Sequence, residues 1–185
     1  MSILTDYLSG YDITLGKNPR VLNIGCGKNV KWNFLGVTFY LAGQGLGFPV
    51  YVGVDQNEDA FGDARKVLGD LVTLITCDAQ DLGNHVEGTF QLVIVEHPDL
   101  ATSRDGPRKW RRIFEQARKL LDEQGALILT SFWLNDHIPA QVALEKSLYR
   151  ILYSGRNAYP GRRFDTSNNG EPLIVDKYII LAKKL

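Results

Sequence analysis

The chain has 185 residues, of which 44% are hydrophobic and 23% charged, an ordinary composition for a globular protein able to bury a core. Its 21 basic and 21 acidic side chains cancel, which excludes a global field that would draw it to nucleic acid or to an anionic membrane. No apolar run approaches the roughly 20 residues of a membrane-spanning helix, no signal-peptide pattern is present, and two cysteines are too few for a disulfide scaffold. We therefore expect one cytoplasmic domain over residues 1–185 with no membrane partner.

The first buried strand is predicted at residues 20–24, after a lead-in segment at residues 1–19. Its apolar side chains suit a strand that is covered on both faces. Gly25 and Gly27 follow directly, and because they lack a Cβ the backbone there can adopt positive φ and let a ligand come close. A strand that ends in Gly-x-Gly and leads into a helix predicts a nucleotide-binding turn.

The following elements are predicted from apolar periodicity and from glycine, proline and asparagine signals. In chain order they are a helix from the apolar block at residues 32–41, a flexible glycine loop at 43–47, a strand at 50–55, a helix that Asn57 caps and Gly69 ends, a strand at 71–77, a short helix or turn at 80–86, and a strand at 90–95. The last of these is almost continuously apolar, which favours the centre of a parallel sheet.

The second half of the chain begins with the clearest helix signal, Asp105-Gly106-Pro107, followed by helically spaced apolar residues. Strands that alternate with helices indicate βαβ units with right-handed crossovers, so the fold class is α/β. Residues 20–133 then form the ligand-binding core, and residues 134–185 a C-terminal helix and strand hairpin. The elements predicted after the clearest helix are a strand at 126–130, a helix at 136–153, a short strand near 159–164 and a final strand at 173–183.

Ligands of parallel sheets bind at the carboxyl ends of the strands, so the residues at those positions are the candidate site. Asp55 ends the second strand and can accept hydrogen bonds from both hydroxyls of a ribose; alternatively, it is a charge that stabilises a helix N-terminus. Asp78 ends the third strand and can accept from the exocyclic amine of an adenine, with Ala79 leaving room for the ring; alternatively, it caps a turn. The conjunction of the glycine turn, Asp55 and Asp78 on successive strands favours adenosine.

Three stretches of the sequence resemble the class I S-adenosylmethionine-dependent methyltransferase family: Val21-Leu22-Asn23-Ile24-Gly25-Cys26-Gly27, Tyr51-Val52-Gly53-Val54-Asp55 and Cys77-Asp78-Ala79-Gln80-Asp81-Leu82. The strands at 90–95 and 125–130 extend the resemblance over residues 20–133. It implies a Rossmann-like three-layer sandwich around a mostly parallel, seven-stranded sheet with an antiparallel last strand. It also implies S-adenosyl-L-methionine as the cofactor, held by Asn23, Gly25, Cys26, Gly27, Asp55, Gln56, Asp78, Ala79 and Glu96.

The sequence departs from the family at two positions near the glycine turn. Asn29 stands where a third glycine is usual, and Asn23 stands where an acidic residue is common. A non-catalytic cofactor-binding module therefore stays open as an alternative. Two other nucleotide sites are disfavoured, because Val30 occupies a position where a dinucleotide fingerprint needs glycine or alanine, and no Gly-Lys-Ser/Thr is placed to form a P-loop.

The stretch Glu96-His97-Pro98-Asp99 follows the fourth strand and is the candidate for handling the methyl acceptor. Glu96 or His97 can serve as a general base, which methyl transfer needs only when the acceptor carries a proton, or Glu96 can contact the amine of the cofactor. As an alternative, Pro98 fixes a turn and the polar side chains satisfy its backbone. We assign Glu96 and His97 as catalytic, and the substrate pocket to Asp99, Trp133 and Tyr159.

The acceptor class is predicted from the remaining polar residues. A strongly basic helix follows the fourth strand, and a solvated outer face is its simpler interpretation, with a phosphate-tracking patch for RNA as the alternative. The three histidines lack metal-ligand spacing, so no metal is expected. The sequence after the fourth strand does not match the Asn/Asp-Pro-Pro-aromatic motif of amine and base methyltransferases; together with the helix and strand that follow, it resembles a bacterial branch of the family that implies no particular acceptor. We therefore predict a small-molecule acceptor, keep an RNA acceptor as the alternative, and leave the oligomeric state open.

Overall fold

The computed structural model describes residues 3–11, 13–158, 163–166, 172–174 and 176–185. The helices in these ranges are α1 (Ile3–Gly10), α2 (Val30–Gly43), α3 (Gly62–Leu68), α4 (Gly106–Leu120) and α5 (Leu134–Lys146). The strands are β1 (Arg20–Ile24), β2 (Val50–Asp55), β3 (Val72–Thr76), β4 (Phe90–Glu96), β5 (Leu121–Ser131), β6 (Tyr149–Arg156), β7 (Arg163–Thr166), β8 (Pro172–Ile174) and β9 (Tyr178–Lys184). Short 3₁₀ turns occupy residues 27–29, 58–61, 69–71 and 79–84.

Seven of these strands form one sheet in the order β3-β2-β1-β4-β5-β9-β6. Strands β1 to β5 pair in parallel, whereas β9 runs antiparallel to both β5 and β6. This confirms the expected α/β, Rossmann-like sheet with an antiparallel last strand. The strand order reverses between β1 and β4, and in open α/β sheets the crevice outside the carboxyl ends at such a reversal is where ligands bind.

The core has two layers, one on each face of the sheet. Alternate side chains of β4 point to opposite faces, so Val93 and Val95 pack with α4 and α5, while Leu92 and Ile94 pack with α1, α2 and α3. All four of these side chains are buried. The prediction that β4 is a central strand covered on both faces is therefore confirmed, and the layers fix the strand ends that carry the site.

The predicted helix at residues 136–153 is wrong in its second half. The helix α5 ends at Lys146, where the hydroxyl of Ser147 donates to the carbonyl of Ala143 at 2.8 Å. Leu148 then adopts a left-handed conformation with φ 61°, and the chain turns into β6, which pairs with β9. Two apolar side chains of α5, Ile138 and Val142, are 54% and 41% exposed, because α5 buries a face that includes Ala140 and Ala143 instead.

Two strand boundaries also differ from the prediction. β5 begins at Leu121, directly after α4, rather than at residue 126. The final strand predicted at 173–183 divides into the short β8, which pairs with β7, and the sheet strand β9. Asn57 caps the 3₁₀ turn at residues 58–61, which leads into α3, rather than α3 itself; its side-chain oxygen accepts from the backbone of Asp59 at 3.0 Å. None of the helices in the described ranges is both long and apolar enough to cross a membrane.

Candidate active site

A cleft with a volume of about 110 Å³ lies at the carboxyl ends of β1, β2 and β3, with α4 forming its opposite wall. Predicted cofactor residues from all three strands line it: Gly25, Asp55, Gln56, Asp78 and Ala79. Sequence reasoning missed the contribution of α4, because it predicted a solvated outer face for the basic residues of that helix and no role in the site for its apolar residues. Lys109, Trp110 and Ile113 of α4 line the cleft.

The turn after β1 requires glycine at two positions. Gly25 has φ 66° and Gly27 has φ 50°, a region that side-chain-bearing residues rarely adopt. The amides of Gly25 and Cys26 both donate to the carbonyl of Val54, at 2.9 and 3.2 Å, so the turn folds over the end of β2. A Cβ at Gly25 would stand 4.0 Å from the indole of Trp110, which places this glycine at a narrow passage between the turn and α4.

The carboxylate of Asp55 is oriented by the backbone on both sides. One oxygen accepts from the amide of Gly27 at 2.8 Å, and the other accepts from the amide of Asn57 at 2.9 Å. A carboxylate oxygen can accept more than one hydrogen bond, so both keep acceptor capacity. The turn thus holds Asp55 in a fixed position with capacity for a pair of hydroxyls.

Asp78 is held in a similar way on the next strand. One carboxylate oxygen accepts from the amide of Gln80 at 2.9 Å, and the other lies 3.7 Å from the ammonium of Lys109. The hydrogen bond from the Gln80 backbone, followed by the Gln80 side chain and Lys109, lowers the pKa of Asp78, against a smaller opposing effect of burial. Lys109 also donates to the side-chain oxygen of Gln56 at 3.5 Å, so it spans the mouth of the cleft between β2 and β3.

A buried polar layer lies beneath the turn. Asn23 is fully buried and its amide donates to the hydroxyl of Tyr51 at 2.7 Å, while Asn29 donates to the carboxylate of Glu96 at 3.2 Å. Cys26 is also fully buried, and burial raises the pKa of its thiol far above the usual value, so it is not a reactive group. Asn23 and Cys26, both predicted to hold the cofactor, therefore lie below the cleft rather than in its lining.

The structure explains the two asparagines that depart from the family pattern. A carboxylate at position 23 would be buried close to Glu96 and Cys26, whereas the neutral amide pairs with Tyr51 without placing a second charge there. The amide of Asn29 supplies a hydrogen bond to Glu96, which is only 8% exposed. Both departures thus have partners in an intact turn.

The predicted acceptor residues lie at the ends of β4 and β5. His97 has φ 49°, and its Nε2 lies 3.3 Å from a carboxylate oxygen of Asp176, a residue that sequence reasoning did not assign to the site. Trp133 is 54% exposed, and the ammonium of Lys177 lies over its ring at 5.2 Å. Asp99 is exposed and accepts from the amide and hydroxyl of Thr102, so it holds its own loop. Tyr159 lies outside the described residues.

A second, more open cleft adjoins the first along the basic face of α4. Its lining combines Gln80, Asp105, Arg108, Lys109, Arg111, Arg112 and Glu115. Several of its cations have acidic neighbours: Arg111 lies 3.0 Å from Glu115, and Arg112 lies 3.6 Å from Asp81. Together with the contact between Lys109 and Asp78, these ion pairs reduce the positive potential of the groove.

Comparison with known proteins gives a family model and a set of solved structures. The family model described as methyltransferase small domain matches residues 10–158. An S-adenosylmethionine-dependent methyltransferase from Clostridium acetobutylicum ATCC 824 has a TM-score of 0.67 at 11% identity, covering 98% of this chain and 89% of the other. An rRNA methylase from Streptococcus thermophilus shares the fold with a TM-score of 0.60 at 16% identity, covering 98% of this chain and 93% of the other. Precorrin-6y C5,15-methyltransferase from Geobacter metallireducens GS-15 shares it with a TM-score of 0.61 at 17% identity, covering 94% of this chain and 83% of the other. No curated protein matches the sequence.

Proposed function

The chain belongs to the methyltransferase small domain family, and we propose that this S-adenosylmethionine-dependent methyltransferase acts on a small-molecule acceptor. We also propose that residues 1–185 act as one domain. A cytoplasmic location is part of the proposal, and it is supported by Cys26 and Cys77, both of which are free and buried thiols.

The main observation in support of the proposal is that the Gly25 turn, Asp55 and Asp78 line the same cleft. Asp55 has acceptor capacity for the two hydroxyls of a ribose, and it is already fixed by Gly27 and Asn57. Asp78 and Ala79 lie one strand further out, where an adenine would follow its ribose. Three neighbouring strands therefore offer an adenosine site in the order that the cofactor requires.

The remaining site residues have roles that follow from their positions. When bound, S-adenosylmethionine supplies a methyl group made electrophilic by its sulfonium. Trp110 faces Gly25 across the narrow passage, so the two residues align the cofactor and exclude water. Glu96 lies beside the turn, where its carboxylate would contact the amine of the cofactor, and His97 lies at the same strand end toward the acceptor.

A small-molecule acceptor is favoured over RNA by the charges around the cleft. The fold alone does not choose, because proteins named for rRNA and for precorrin-6y share it. RNA stays as the second candidate because the basic groove of α4 adjoins the cofactor cleft and shares Lys109 with it. However, three of the four cations that line the groove have a carboxylate at 3.0–3.7 Å, and a phosphate-tracking surface needs cations that are free to pair with phosphates.

The experiment is calorimetric titration with S-adenosylmethionine and with its demethylated product. We expect micromolar binding that weakens at least tenfold in Asp55→Ala, since the variant loses charge-assisted hydrogen bonds to the ribose. Asp63→Ala is the matched control, because this aspartate is exposed on α3 away from the cleft. Absence of binding to the wild-type protein, or equal binding by Asp55→Ala, would contradict the proposed cofactor site.

The acceptor class is then tested with methyl-labelled cofactor and a cell extract divided into small-molecule, RNA and protein fractions. Label in the small-molecule fraction is the expected result. Label confined to RNA would establish the second candidate instead. Cofactor binding without label in any fraction would indicate the non-catalytic module.

A further inference from the structure

We propose that Asp176 positions His97 as the general base of the reaction, and that the acceptor is therefore a phenol-class hydroxyl. This inference rests on the proposed function, because it concerns the acceptor side of the same site. Asp176 lies immediately before β9 and is only 4% exposed. It reaches the end of β4 because β9 is antiparallel and enters the sheet at the edge where β4 and β5 end.

The pair is held by an unusual backbone on both sides. His97 and Asp176 have φ values of 49° and 61°, a region that only a few per cent of non-glycine residues adopt and that recurs at functional sites. The amide of His97 donates to the carbonyl of Thr130 at 2.9 Å, which fixes it to the end of β5. The side-chain amide of Asn157 donates to the carbonyl of Asp176 at 3.0 Å.

Asn157, which donates to Asp176, is itself held by a further hydrogen bond. Asn157 accepts from the hydroxyl of Tyr7 at 3.1 Å, and Tyr7 belongs to α1. The contact between His97 and Asp176 therefore has backbone and side-chain anchors on α1, β5 and the segment before β9. Such anchoring is what a positioned catalytic group requires, because small displacements of a base lower its rate contribution strongly.

Nε2 of His97 lies 3.3 Å from a carboxylate oxygen of Asp176, which is an ion-pair distance but not an aligned hydrogen bond. The nearby carboxylate favours the tautomer with hydrogen on Nε2, which leaves the lone pair on Nδ1. Both ring nitrogens are buried, and neither has a hydrogen-bond partner among the described residues. Buried polar atoms are normally paired, so an orphaned Nδ1 at a strand end is the atom that an acceptor proton would satisfy.

The chemistry of a histidine base selects the acceptor. A neutral amine attacks with its own lone pair, whereas a hydroxyl must lose its proton to become a strong nucleophile. The phenolic hydroxyl of tyrosine has a pKa of about 10 and is within the range of a histidine base. The aromatic ring of Phe132 lies 6.1 Å from His97, and Trp133 stands next to it, so flat aromatic surfaces flank the base.

The positions of these residues indicate how the methyl group is transferred. The acceptor oxygen gives its proton to Nδ1 of His97 and forms a bond to the methyl carbon, with cleavage of the carbon–sulfur bond and return of its electron pair to sulfur. The charged groups near the base are Asp176 before β9, Glu96 on β4 and Lys177, whose ammonium lies over Phe132 at 5.7 Å. Asp176 balances the imidazolium that forms.

The first test reads the tautomer of His97 directly by long-range ¹H–¹⁵N NMR. The chain has three histidines, and His97→Gln identifies the signal of His97. We expect hydrogen on Nε2 in the wild-type protein, and a shift toward hydrogen on Nδ1 in Asp176→Asn, because an amide can donate to Nε2. An unchanged tautomer in Asp176→Asn overturns the positioning role, and this readout does not depend on cofactor binding.

The second test compares methylation of phenol with methylation of thiophenol, which is largely ionised at neutral pH and needs no base. We expect Asp176→Asn to lower phenol methylation at least tenfold and His97→Gln to lower it about a hundredfold, with thiophenol methylation within twofold of wild type. Asp63→Asn serves as the control for the loss of an exposed charge.

The other possible results of these two tests each contradict one part of the proposal. Equal losses with phenol and thiophenol mean that Asp176 supports the fold and not the base. A wild-type protein that binds the cofactor but leaves phenol unmethylated overturns the phenol class. A wild-type protein that does not bind the cofactor at all contradicts the proposed function, and the NMR result still decides the role of Asp176.

Discussion

Replacement of Gly25 by alanine tests the glycine turn most directly. Gly25 has φ 66°, and an L-residue in the left-handed region is destabilised by about 1–2 kcal/mol. The new Cβ would lie 4.0 Å from Trp110, which is ordinary contact, so no steric clash adds to this strain. In a chain of this size we therefore expect the melting temperature to fall by about 2–8 °C.

The same methyl group has a second effect, on the ligand. It would occupy the passage between the turn and α4, where the proposed site places the cofactor against the backbone of the turn. We expect the affinity for S-adenosylmethionine to fall at least tenfold, which corresponds to about 1.4 kcal/mol. Thermal unfolding and calorimetric titration measure the two effects separately.

Gly45→Ala is the matched control. Gly45 follows α2 with φ 69°, almost the same strain as at Gly25, and a Cβ there would meet nothing within 4 Å. It should lose similar stability and keep full cofactor affinity. If Gly25→Ala bound the cofactor as tightly as Gly45→Ala does, the cofactor would not pass over the turn and the reasoning would be refuted.

Three further predictions concern charge, thiols and the core. The pKa of Asp78 is lowered in the folded state, so its contribution to stability is present above the usual carboxyl pKa of 3.8 and is lost as the pH falls below it. The difference in unfolding free energy between wild type and Asp78→Asn should therefore shrink on acidification below about pH 4. Burial raises the pKa of Cys26 and of Cys77, so a thiol reagent should label neither in the native protein and both in denaturant; fast native labelling would contradict this. Leu144→Ala should cost about 2–5 kcal/mol in chemical denaturation, because the side chain is fully buried, while Val142→Ala, 41% exposed on the same helix, should lie within about 0.5 kcal/mol of wild type.

The meeting of Gly25, Asp55 and Asp78 in one cleft could be predicted because the signals are local. Each carboxylate directly follows a buried strand, and parallel strands bring such positions to one edge of the sheet. The same locality explains the glycine turn, where positive φ at Gly25 and Gly27 needs a residue without a Cβ. What the sequence did not predict is the side from which a helix covers the strand ends, so the positions of Trp110 and Lys109 in the cleft were missed.

The C-terminal part was less predictable for a different physical reason. Apolar residues at 148–152 fit a helical period as well as a strand, and only pairing with β9 selects the strand. The contact of His97 with Asp176 depends on the pairing of β9 with β5, which joins distant parts of the chain. Long-range strand pairing produces little local pattern in a sequence, whereas caps and turns require particular residues at particular positions.

The position of β9 has a consequence for the order in which the protein forms. β9 lies between β5 and β6, so β6 is synthesised before the strand that joins it to the sheet. Until residues 178–184 have emerged from the ribosome, β5 and β6 each present an unpaired edge, and such edges promote association with other chains. Because Asp176 immediately precedes β9, the segment that closes these edges also delivers the carboxylate to His97. Closure of these edges and formation of the contact between Asp176 and His97 thus depend on the same segment of the chain.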